Sequence, residues 1–372
     1  MSEQHLRVGA GYTLLLDGPA SIRVLKGSAS ILGCRLRRNR SYLMRPYRRY
    51  PVTADEELEC EVRLGDDGGL KIVEGDTVGK DWMKLASSLE RGCRVLVMGG
   101  FDTGKTSLST LLANRLSTLS GCAILCLDPG QSYLSPPTTV GGAFLREPVH
   151  DLSQLEASAV VPVCSTSAPE AAEMLIRAAG RLVQWVEKMS APSLVVDVDG
   201  WVEGQAAEEA KSRLVELFRP TDVAFLGDAL PAVGETAKRL GSRIHILQRP
   251  RAILERSQNM RREIRAMAYR RFLRNASLKT IPITWIRLET SSSDPETLLR
   301  RVSEALTTTK AGSGLLSYIS GGDEYLYRIG LITGYEPGKN LIRIYTAMNQ
   351  SVRNVFLGRM LVTQDGEEIG YI

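Results

Sequence analysis

The chain has 372 residues, more than the roughly 250 at which a single hydrophobic core tends to split, so two or three domains are expected. Hydrophobic residues make up 43% and charged residues 24%, with a formal net charge of +5, which excludes disordered, collagen-like and low-complexity chains. No run of about 18 apolar residues is present, so no transmembrane helix is expected. The first residues lack the features of a signal peptide, so the protein is expected to stay where it is made.

Six cysteines are spread along the chain without a Cys-x-x-Cys pair, and only three scattered histidines accompany them. Cys122 and Cys126 lie in the apolar run CAILC, which is typical of a buried strand. We therefore expect buried, reduced thiols and neither disulfides nor a zinc site.

The N-terminal zone, residues 1–80, carries short alternating runs broken by glycine, such as SIRVLKG and LECEVRL. Alternation with a period of two predicts small antiparallel β structure. From residue 81 the pattern changes to apolar runs, among them RVLVMGG, CAILCLD, SLVVDVDG and DVAFLGD, which alternate with helical stretches. This alternation predicts a parallel sheet with helices on both faces.

The run TTTKAGSG at 307–314 predicts a linker, and short strand-like runs such as YRIGLITGY and NLIRIYTAM follow it. The sequence therefore predicts an α/β protein of three domains. These are an N-terminal β domain (1–80), a central parallel-sheet domain (81–308) and a C-terminal β domain (309–372).

A glycine-rich segment follows the apolar run RVLVMGG and precedes a helical stretch, and it fits the pattern GxxxxGK[ST] at every position. Such a loop turns its backbone N–H groups towards phosphate oxygens, and the next helix adds its positive end. Lys105 would reach the β and γ phosphates, and the Thr106 hydroxyl would ligate Mg²⁺. The predicted ATP-binding residues are Gly99, Gly100, Phe101, Asp102, Thr103, Gly104, Lys105, Thr106 and Ser107.

A second candidate follows the next apolar strand, which ends in Asp128-Pro129-Gly130-Gln131. An acid at the carboxyl end of a neighbouring parallel strand lies at the edge of the sheet that carries the phosphate loop. From there Asp128 would hold Mg²⁺ through water or accept the proton of a nucleophile.

The stretch 249–275 is rich in arginine on a helical pattern. Arg261 and Arg265 are one helical turn apart and share a face. Mobile arginines over a phosphate loop suit phosphoryl transfer, because charge develops on the group in transit. A solvated charged helix is the structural alternative.

Together these motifs resemble the P-loop polynucleotide 5′-hydroxyl kinases, which include the RNA kinases of tRNA splicing, pre-mRNA cleavage and ribosomal RNA processing, in their prokaryotic or archaeal form. The resemblance spans nearly the whole chain. It rests on the run 128–131 followed by Pro136-Pro137, on Asp102 three residues before the loop lysine, and on arginines at spacings of five and four. That spacing is typical of the family's lid segment, here 249–275.

The resemblance implies a Mg²⁺-dependent transfer of the ATP γ-phosphate to the 5′-hydroxyl of RNA. It implies that Lys105, Asp128 and Arg261 are catalytic and that Arg256, Arg261 and Arg265 contact phosphate. Gln131, Gly200 and Trp201 would bind the nucleic acid, with Trp201 stacking on the terminal base.

Single-stranded RNA with a 5′-hydroxyl end is the implied acceptor, with DNA as an alternative, and GTP is an alternative donor. RNA-processing proteins are implied partners, and no membrane is. A prokaryotic member would be cytoplasmic and a eukaryotic one nuclear. The oligomeric state stays open.

Two positions depart from the family pattern. Val198 stands where the family has the threonine of a Thr-x-Gly-Trp clasp, and Cys126 stands where it often has a first acid. These departures give weight to an alternative, a catalytically weak or inactive ATP-binding scaffold of an RNA-processing complex. A P-loop ATPase or GTPase switch is a third interpretation.

One further basic run interleaves arginine with Tyr42, Tyr47 and Tyr50 in the N-terminal zone. Such a run is compatible with a nucleic-acid surface and equally with an exposed β edge. Its arginines are Arg35, Arg37, Arg38, Arg40, Arg45, Arg48 and Arg49.

Overall fold

The structure, a computed structural model, describes residues 2–290 and 294–372. Its backbone forms two compact units. The first compact unit contains the chain up to Leu125, together with Ala143–Glu156 and Met189–Met260. The second contains Cys126–Gly142, Ala157–Lys188 and the chain from Arg261 onwards.

Nine short strands open the first compact unit. They are β1 (Ser2–Val8), β2 (Tyr12–Asp17), β3 (Ala20–Lys26), β4 (Ala29–Ile31), β5 (Cys34–Arg35), β6 (Ser41–Met44), β7 (Arg49–Ala54), β8 (Leu58–Leu64) and β9 (Gly69–Glu74). A four-stranded sheet has the order β1-β8-β3-β6 and a five-stranded sheet the order β5-β4-β7-β2-β9, with antiparallel pairing.

The alternation of apolar and polar residues decides which face of each strand is buried. In β8, Leu58, Cys60 and Val62 are buried while the residues between them are more exposed. These side chains share one core with those of the other sheet, such as Leu14 and Val52. Antiparallel β structure was the prediction for this zone, and it is confirmed.

The middle of the chain alternates helices with strands. Its elements are α1 (Lys80–Ser88), β10 (Arg94–Gly99), α2 (Lys105–Ser120), β11 (Cys122–Leu127), β12 (Thr139–Leu145), β13 (Ala159–Pro162), α3 (Ala172–Lys188), β14 (Leu194–Val198), α4 (Gln205–Phe218), β15 (Asp222–Leu226), α5 (Pro231–Arg239), β16 (Arg243–Leu247) and α6 (Gln258–Phe272).

The parallel part of this sheet lies in the first compact unit, where β10 pairs with β14 on one side and with β15 on the other, and β16 follows β15. Continuous apolar runs such as β10 are buried on both faces, as parallel strands covered by helices are. The pairing of Val97 with Asp197 brings the carboxyl ends of β10 and β14 to the same edge. In the second compact unit, β12 pairs antiparallel with β13.

Asn114 of α2 fixes the strands of the N-terminal zone to the helix that follows the glycine-rich loop. Its buried amide group donates to the carbonyls of Leu32 and Val149, each over 2.9 Å, and its oxygen accepts from the Val149 N–H at 2.9 Å. Both the nitrogen and the oxygen of the Asn114 amide thus have hydrogen-bond partners, which orients α2 against the β structure.

The last elements belong to the second compact unit. They are β17 (Ser277–Pro282), β18 (Arg287–Thr290), α7 (Pro295–Leu306), β19 (Ser313–Ser320), β20 (Arg328–Glu336), β21 (Leu341–Thr346), β22 (Asn354–Thr363) and β23 (Glu368–Tyr371). The sheet has the order β17-β21-β20-β19-β22-β18, and β23 pairs with β22.

The central strand of this sheet, β19, is buried along its whole length. Ile319 faces a core that contains Leu299 of α7, whereas Tyr318 faces a core that contains Tyr269 of α6. The predicted linker at 307–314 follows α7, and only its last two residues, Ser313 and Gly314, belong to β19. The C-terminal β structure was predicted and is present.

A buried carboxylate at the start of β15 yields a prediction on stability. Burial alone would raise the pKa of Asp222, but hydrogen bonds from His245, Arg243 and Thr221 outweigh burial and lower the pKa to about 2. A lowered pKa adds stability above about pH 4 that is lost as the pH falls towards 2, here about 2 kcal/mol. In urea unfolding, Asp222→Asn should lower the free energy of unfolding most at neutral pH. The difference in this free energy between the variant and the native protein should narrow below about pH 4. The exposed Asp228, substituted in the same way, is the control, and a pH-independent gap would contradict the prediction.

Candidate active site

The glycine-rich loop joins β10 to α2, and two of its glycines are required by the backbone. Gly104, directly before α2, has φ +98°, a conformation that side chains disfavour. A Cβ at Gly99 would lie 2.8 Å from the Leu226 carbonyl oxygen. Thr103 is buried and donates from Oγ1 to the Gly100 carbonyl at 3.0 Å, which closes the turn from inside. The predicted phosphate-loop shape is therefore present.

The first three residues of α2 are Lys105, Thr106 and Ser107, all of them partly exposed. Lys105 Nζ donates to the Gly100 carbonyl at 2.6 Å, so its cation lies over the loop. Thr106 Oγ1 donates to Asp197 Oδ2 at 2.8 Å. Asp197 is 4% exposed and lies near the end of β14, the strand next to β10. Hydroxyl and carboxylate oxygens are the donors that Mg²⁺ prefers.

Asp197 was not among the predicted site residues. The sequence shows it only as one of two acids beside Val198. The available signal was an acid near the end of an apolar strand, the same signal that singled out Asp128. What the sequence lacks is the strand order, which makes β14 and not β11 the neighbour of β10.

Asp102 of the loop binds the predicted lid segment 249–275. Its carboxylate accepts from Arg256 at three atoms: Nε at 2.9 Å, Nη2 at 2.7 Å and the backbone N–H at 3.1 Å. Nε and Nη2 both contact Oδ1, and the backbone N–H donates to Oδ2. Charge-assisted hydrogen bonds of this kind are stronger than those between neutral groups. The Arg256 side chain, predicted to contact phosphate, is thereby fixed to the loop two residues before α6 begins.

The turn after β14 packs directly on the phosphate loop. A Cβ at Gly200 would lie 2.6 Å from the ring of Phe101, so a larger residue there would displace the ring. A Cβ at Gly100 would lie 3.7 Å from Val202 Cγ2. Trp201, between these contacts, is half-buried, and its backbone N–H donates to Asp199 Oδ1 at 2.9 Å. The two predicted nucleic-acid residues of this turn thus lie beside the predicted phosphate-binding loop.

The second compact unit contains the other predicted residues. Asp128, after β11, accepts from the N–H groups of Gly130 and Gln131 at 3.0 and 2.9 Å, which shapes a tight turn. A Cβ at Gly130 would lie 2.6 Å from the Thr166 carbonyl oxygen, which explains the glycine. Gln131 Nε2 donates to the Gly130 carbonyl at 2.9 Å and to the Arg261 carbonyl at 3.4 Å. The structure thus brings Gln131 to the backbone of Arg261.

Arg265, predicted to contact phosphate, has a carboxylate partner that the sequence did not indicate. Its guanidinium donates to both oxygens of Glu368 in β23, from Nε at 2.7 Å and from Nη2 at 2.8 Å. The fully buried Tyr269 directs its hydroxyl to the same carboxylate at 3.4 Å. These contacts fix α6 to the last strand, and Glu368 lies 103 residues away along the chain.

Known proteins are similar to this chain over the segment that contains the glycine-rich loop. Residues 99–275 match the family described as mRNA cleavage and polyadenylation factor CLP1 P-loop. A polyribonucleotide 5′-hydroxyl-kinase of Thermococcus kodakarensis is 24% identical over 340 residues, which cover 79% of this chain and 96% of that one. A kinase of the same description from Pyrococcus furiosus is 25% identical over 334 residues, or 78% and 93% of the two chains. The segment 99–275 is thus similar to the Clp1-type P-loop family.

The similarity to the Clp1-type family extends to eukaryotes and to the fold. The Clp1 polyribonucleotide 5′-hydroxyl-kinase of Xenopus tropicalis is 26% identical over 277 residues, which cover 68% of this chain and 62% of that one. A solved Clp1p–Pcf11p complex aligns with a TM-score of 0.72 at 15% identity over 96% of this chain and 97% of that one. The predicted P-loop α/β fold with flanking β domains is confirmed. That the loop residues bind nucleotide stays a prediction.

The two residues that depart from the Clp1-type pattern are both buried in the structure. Val198 closes β14 and is 1% exposed, so no hydroxyl replaces the family threonine at this point. Cys126 of β11 is also 1% exposed. All six cysteines are buried, as predicted, and none of them forms a disulfide.

The arginine run of the N-terminal zone is largely engaged in structural contacts. Arg48 pairs with Asp151 at 2.6 Å, and Arg49 donates two hydrogen bonds to Asp17. Of the interleaved tyrosines, Tyr42 and Tyr50 are buried. A nucleic-acid surface here stays a prediction, and the exposed arginines of the run are Arg35, Arg37, Arg38 and Arg40. Across residues 2–290 and 294–372, every helix is too short or too polar to cross a membrane.

Proposed function

We propose that this chain is a polynucleotide 5′-hydroxyl kinase that transfers the γ-phosphoryl group of ATP to the 5′-hydroxyl of single-stranded RNA. One observation carries the proposal: the phosphate loop and the Trp201 turn pack on each other at Phe101 and Gly200. A phosphate donor site thus lies beside an aromatic ring that can stack on a base. The Clp1-type relatives described as polyribonucleotide 5′-hydroxyl-kinases support it.

In the proposed reaction the oxygen of the 5′-hydroxyl forms a bond to the γ-phosphorus, and the bond from that phosphorus to the β–γ bridging oxygen breaks. ADP leaves, and the hydroxyl proton goes to a base. Lys105 and the loop N–H groups bind the β and γ phosphates. Trp201 stacks on the base next to the acceptor oxygen.

Two further roles fall to residues of the second compact unit, by resemblance to the Clp1-type family. Asp128 orients the 5′-hydroxyl and takes its proton. Arg261 stabilises the negative charge that develops on the transferring group. Arg256 and Arg265 act on phosphate only if they leave Asp102 and Glu368, because each guanidinium is bound to a carboxylate here.

The oxygen pair of Thr106 and Asp197 fits Mg²⁺, since it offers a hydroxyl and a carboxylate within 2.8 Å of each other. We propose that these two residues hold the ion, with Asp128 acting through water. Bound Mg²⁺ would neutralise charge on the β and γ phosphates.

The Asp197→Asn substitution should raise the Mg²⁺ concentration required for half-maximal transfer about 10- to 100-fold. The amide oxygen can still accept from Thr106, so the loop should keep its shape while the negative charge is lost. A Mg²⁺ titration of the initial rate measures the effect, with the exposed Asp66→Asn as a charge-matched control. An unchanged Mg²⁺ requirement would exclude Asp197 as a ligand.

The proposed function is tested with γ-labelled ATP and matched oligonucleotides that carry either a 5′-hydroxyl or a 5′-phosphate. Label should enter the 5′-hydroxyl RNA and not the 5′-phosphorylated one. A DNA strand of the same sequence decides whether the acceptor is RNA alone, and GTP in place of ATP decides the donor. Equal labelling of the 5′-hydroxyl RNA and the 5′-phosphorylated RNA would overturn the assignment.

The relatives also suggest a protein partner. The aligned structure is a complex of Clp1p with Pcf11p, and we propose that this chain likewise assembles with a protein of RNA processing. Copurification from the native host, with and without ribonuclease, separates a protein partner from RNA-mediated association.

A further inference from the structure

A buried ion pair lies directly under the Trp201 turn. Lys211 of α4 is 1% exposed, and Asp199 is 2% exposed. Lys211 Nζ lies 2.5 Å from Asp199 Oδ2, while Asp199 Oδ1 accepts from the backbone N–H of Trp201. A lysine is rarely buried to this degree unless a specific partner holds its charge.

The same lysine also lies close to the aromatic ring. Lys211 Nζ is 5.7 Å from the centroid of the Trp201 ring, within the distance of a cation–π contact. Asp199 therefore holds the backbone of the turn, and Lys211 holds both the carboxylate and the ring. One charged side chain thus contacts both the carboxylate that anchors the turn and the half-buried indole.

A buried ion pair is weak evidence for a gain in protein stability, because apolar residues of similar volume in its place often make the protein equally stable or more stable. Its effect on geometry is clearer, because both oxygens of Asp199 have partners and the turn cannot rotate without breaking them. The turn packs on Phe101 of the phosphate loop, and Val198 before it offers no hydroxyl. The ion pair thus supplies polar contacts that hold this turn in place.

We propose that Lys211 is a positioning residue for the acceptor: with Asp199 it orients Trp201 so that the indole stacks on the 5′-terminal base of a single-stranded nucleic acid. This inference rests on the proposed function for the identity of the acceptor. The ligand class is a nucleobase at a strand end, read by stacking and hence tolerant of sequence. Lys211 touches neither ATP nor the reacting atoms.

The test compares Lys211→Met with Trp201→Ala and with the double variant. Lys211→Met should raise the KM for 5′-hydroxyl RNA about 10-fold, because a misoriented ring loses part of a stacking contact. The kcat and the KM for ATP should stay within about 2-fold. In the double variant the two effects should not add, because Lys211 acts through Trp201. Lys84→Met, at an exposed position of α1, is the matched control.

A second variant guards against a folding defect. Lys211→Met leaves Asp199 charged in a buried site, whereas Asp199→Asn with Lys211→Met removes both charges and should fold. A merely structural lysine would lower the active fraction and hence kcat, with KM unchanged. That result, or additive effects with Trp201→Ala, would overturn the proposal.

A binding measurement separates this inference from the proposed function. Of the four tryptophans, Trp82 and Trp185 are buried, and Trp285 is 76% exposed, so the measurement uses a Trp285→Phe background. Quenching of the remaining fluorescence by a 5′-hydroxyl oligonucleotide, without ATP, should weaken about 10-fold in Lys211→Met. If the native protein binds but does not transfer phosphate, the kinase assignment fails and Lys211 keeps its role. If it transfers and Lys211→Met binds equally well, the inference fails alone.

Discussion

Replacing Lys105 by alanine should reduce phosphoryl transfer about 1,000-fold or more while leaving the fold intact. In the structure Lys105 Nζ lies over the loop, bound to the Gly100 carbonyl at 2.6 Å. The proposed reaction needs this cation at the β and γ phosphates, where negative charge grows as the bond to ADP breaks. The loop itself is held by Thr103 and by its glycines, so the alanine variant should keep its shape.

The measurement is the initial rate of label transfer from ATP to 5′-hydroxyl RNA, with thermal unfolding as the check on folding. Lys84→Ala on α1 is the control, since Lys84 is exposed and lies in the same compact unit. A Lys105→Ala protein that retains most of its turnover would contradict the assignment of the loop as the donor site.

The second large effect is expected for Asp128→Asn, which should lower kcat about 100- to 10,000-fold. Asp128 Oδ1 accepts from the N–H groups of Gly130 and Gln131. An asparagine oxygen can accept the same two hydrogen bonds, so the turn should survive. What the substitution removes is the negative charge that would accept the proton of the 5′-hydroxyl. ATP binding should therefore be unchanged.

Asp323→Asn is the matched control, because Asp323 shapes a similar turn in the same compact unit by accepting from the Tyr325 N–H at 2.8 Å. Equal losses in the two variants would indicate a structural role for Asp128. A normal kcat in Asp128→Asn would exclude it as the base and direct attention to the other acids of the sheet edge.

The phosphate loop could be predicted because its signal is local. A buried strand, a glycine-rich turn and a helix follow one another within about 25 residues, and each is visible as a run of one residue type. The helix α4 (Gln205–Phe218) is likewise present where the pattern predicted a helix. In contrast, α7 (Pro295–Leu306) was not predicted, although Asp294 caps it and Pro295 begins it. Those two residues were the available signal.

The partners of the predicted arginines could not be predicted, because they are distant in sequence. Arg256 binds Asp102 across 154 residues, and Arg265 binds Glu368 across 103. Both were expected to contact phosphate, and their roles there stay predictions. A pattern of spaced arginines indicates where cations lie on a helix, but it does not reveal which carboxylates the fold brings to them.

The acidic residues of the sheet edge illustrate the same limit. Asp128 and Asp197 both follow apolar runs, and the sequence favoured Asp128 because a family motif surrounds it. The pairing of β10 with β14 brings Asp197 to Thr106. Strand order depends on how helices cross the sheet, and no single stretch of sequence encodes it.

The central claim is that the bound nucleotide gives its γ-phosphate to a nucleic-acid end and not to water. The most direct test counts, in one reaction with Mg²⁺, the ADP released and the 5′-phosphorylated RNA formed. The account predicts one phosphorylated end for each ADP, and no ADP release without RNA. ADP released without phosphorylated RNA would identify an ATPase, and ATP that stays bound and unreacted would identify a scaffold; either result would contradict the account.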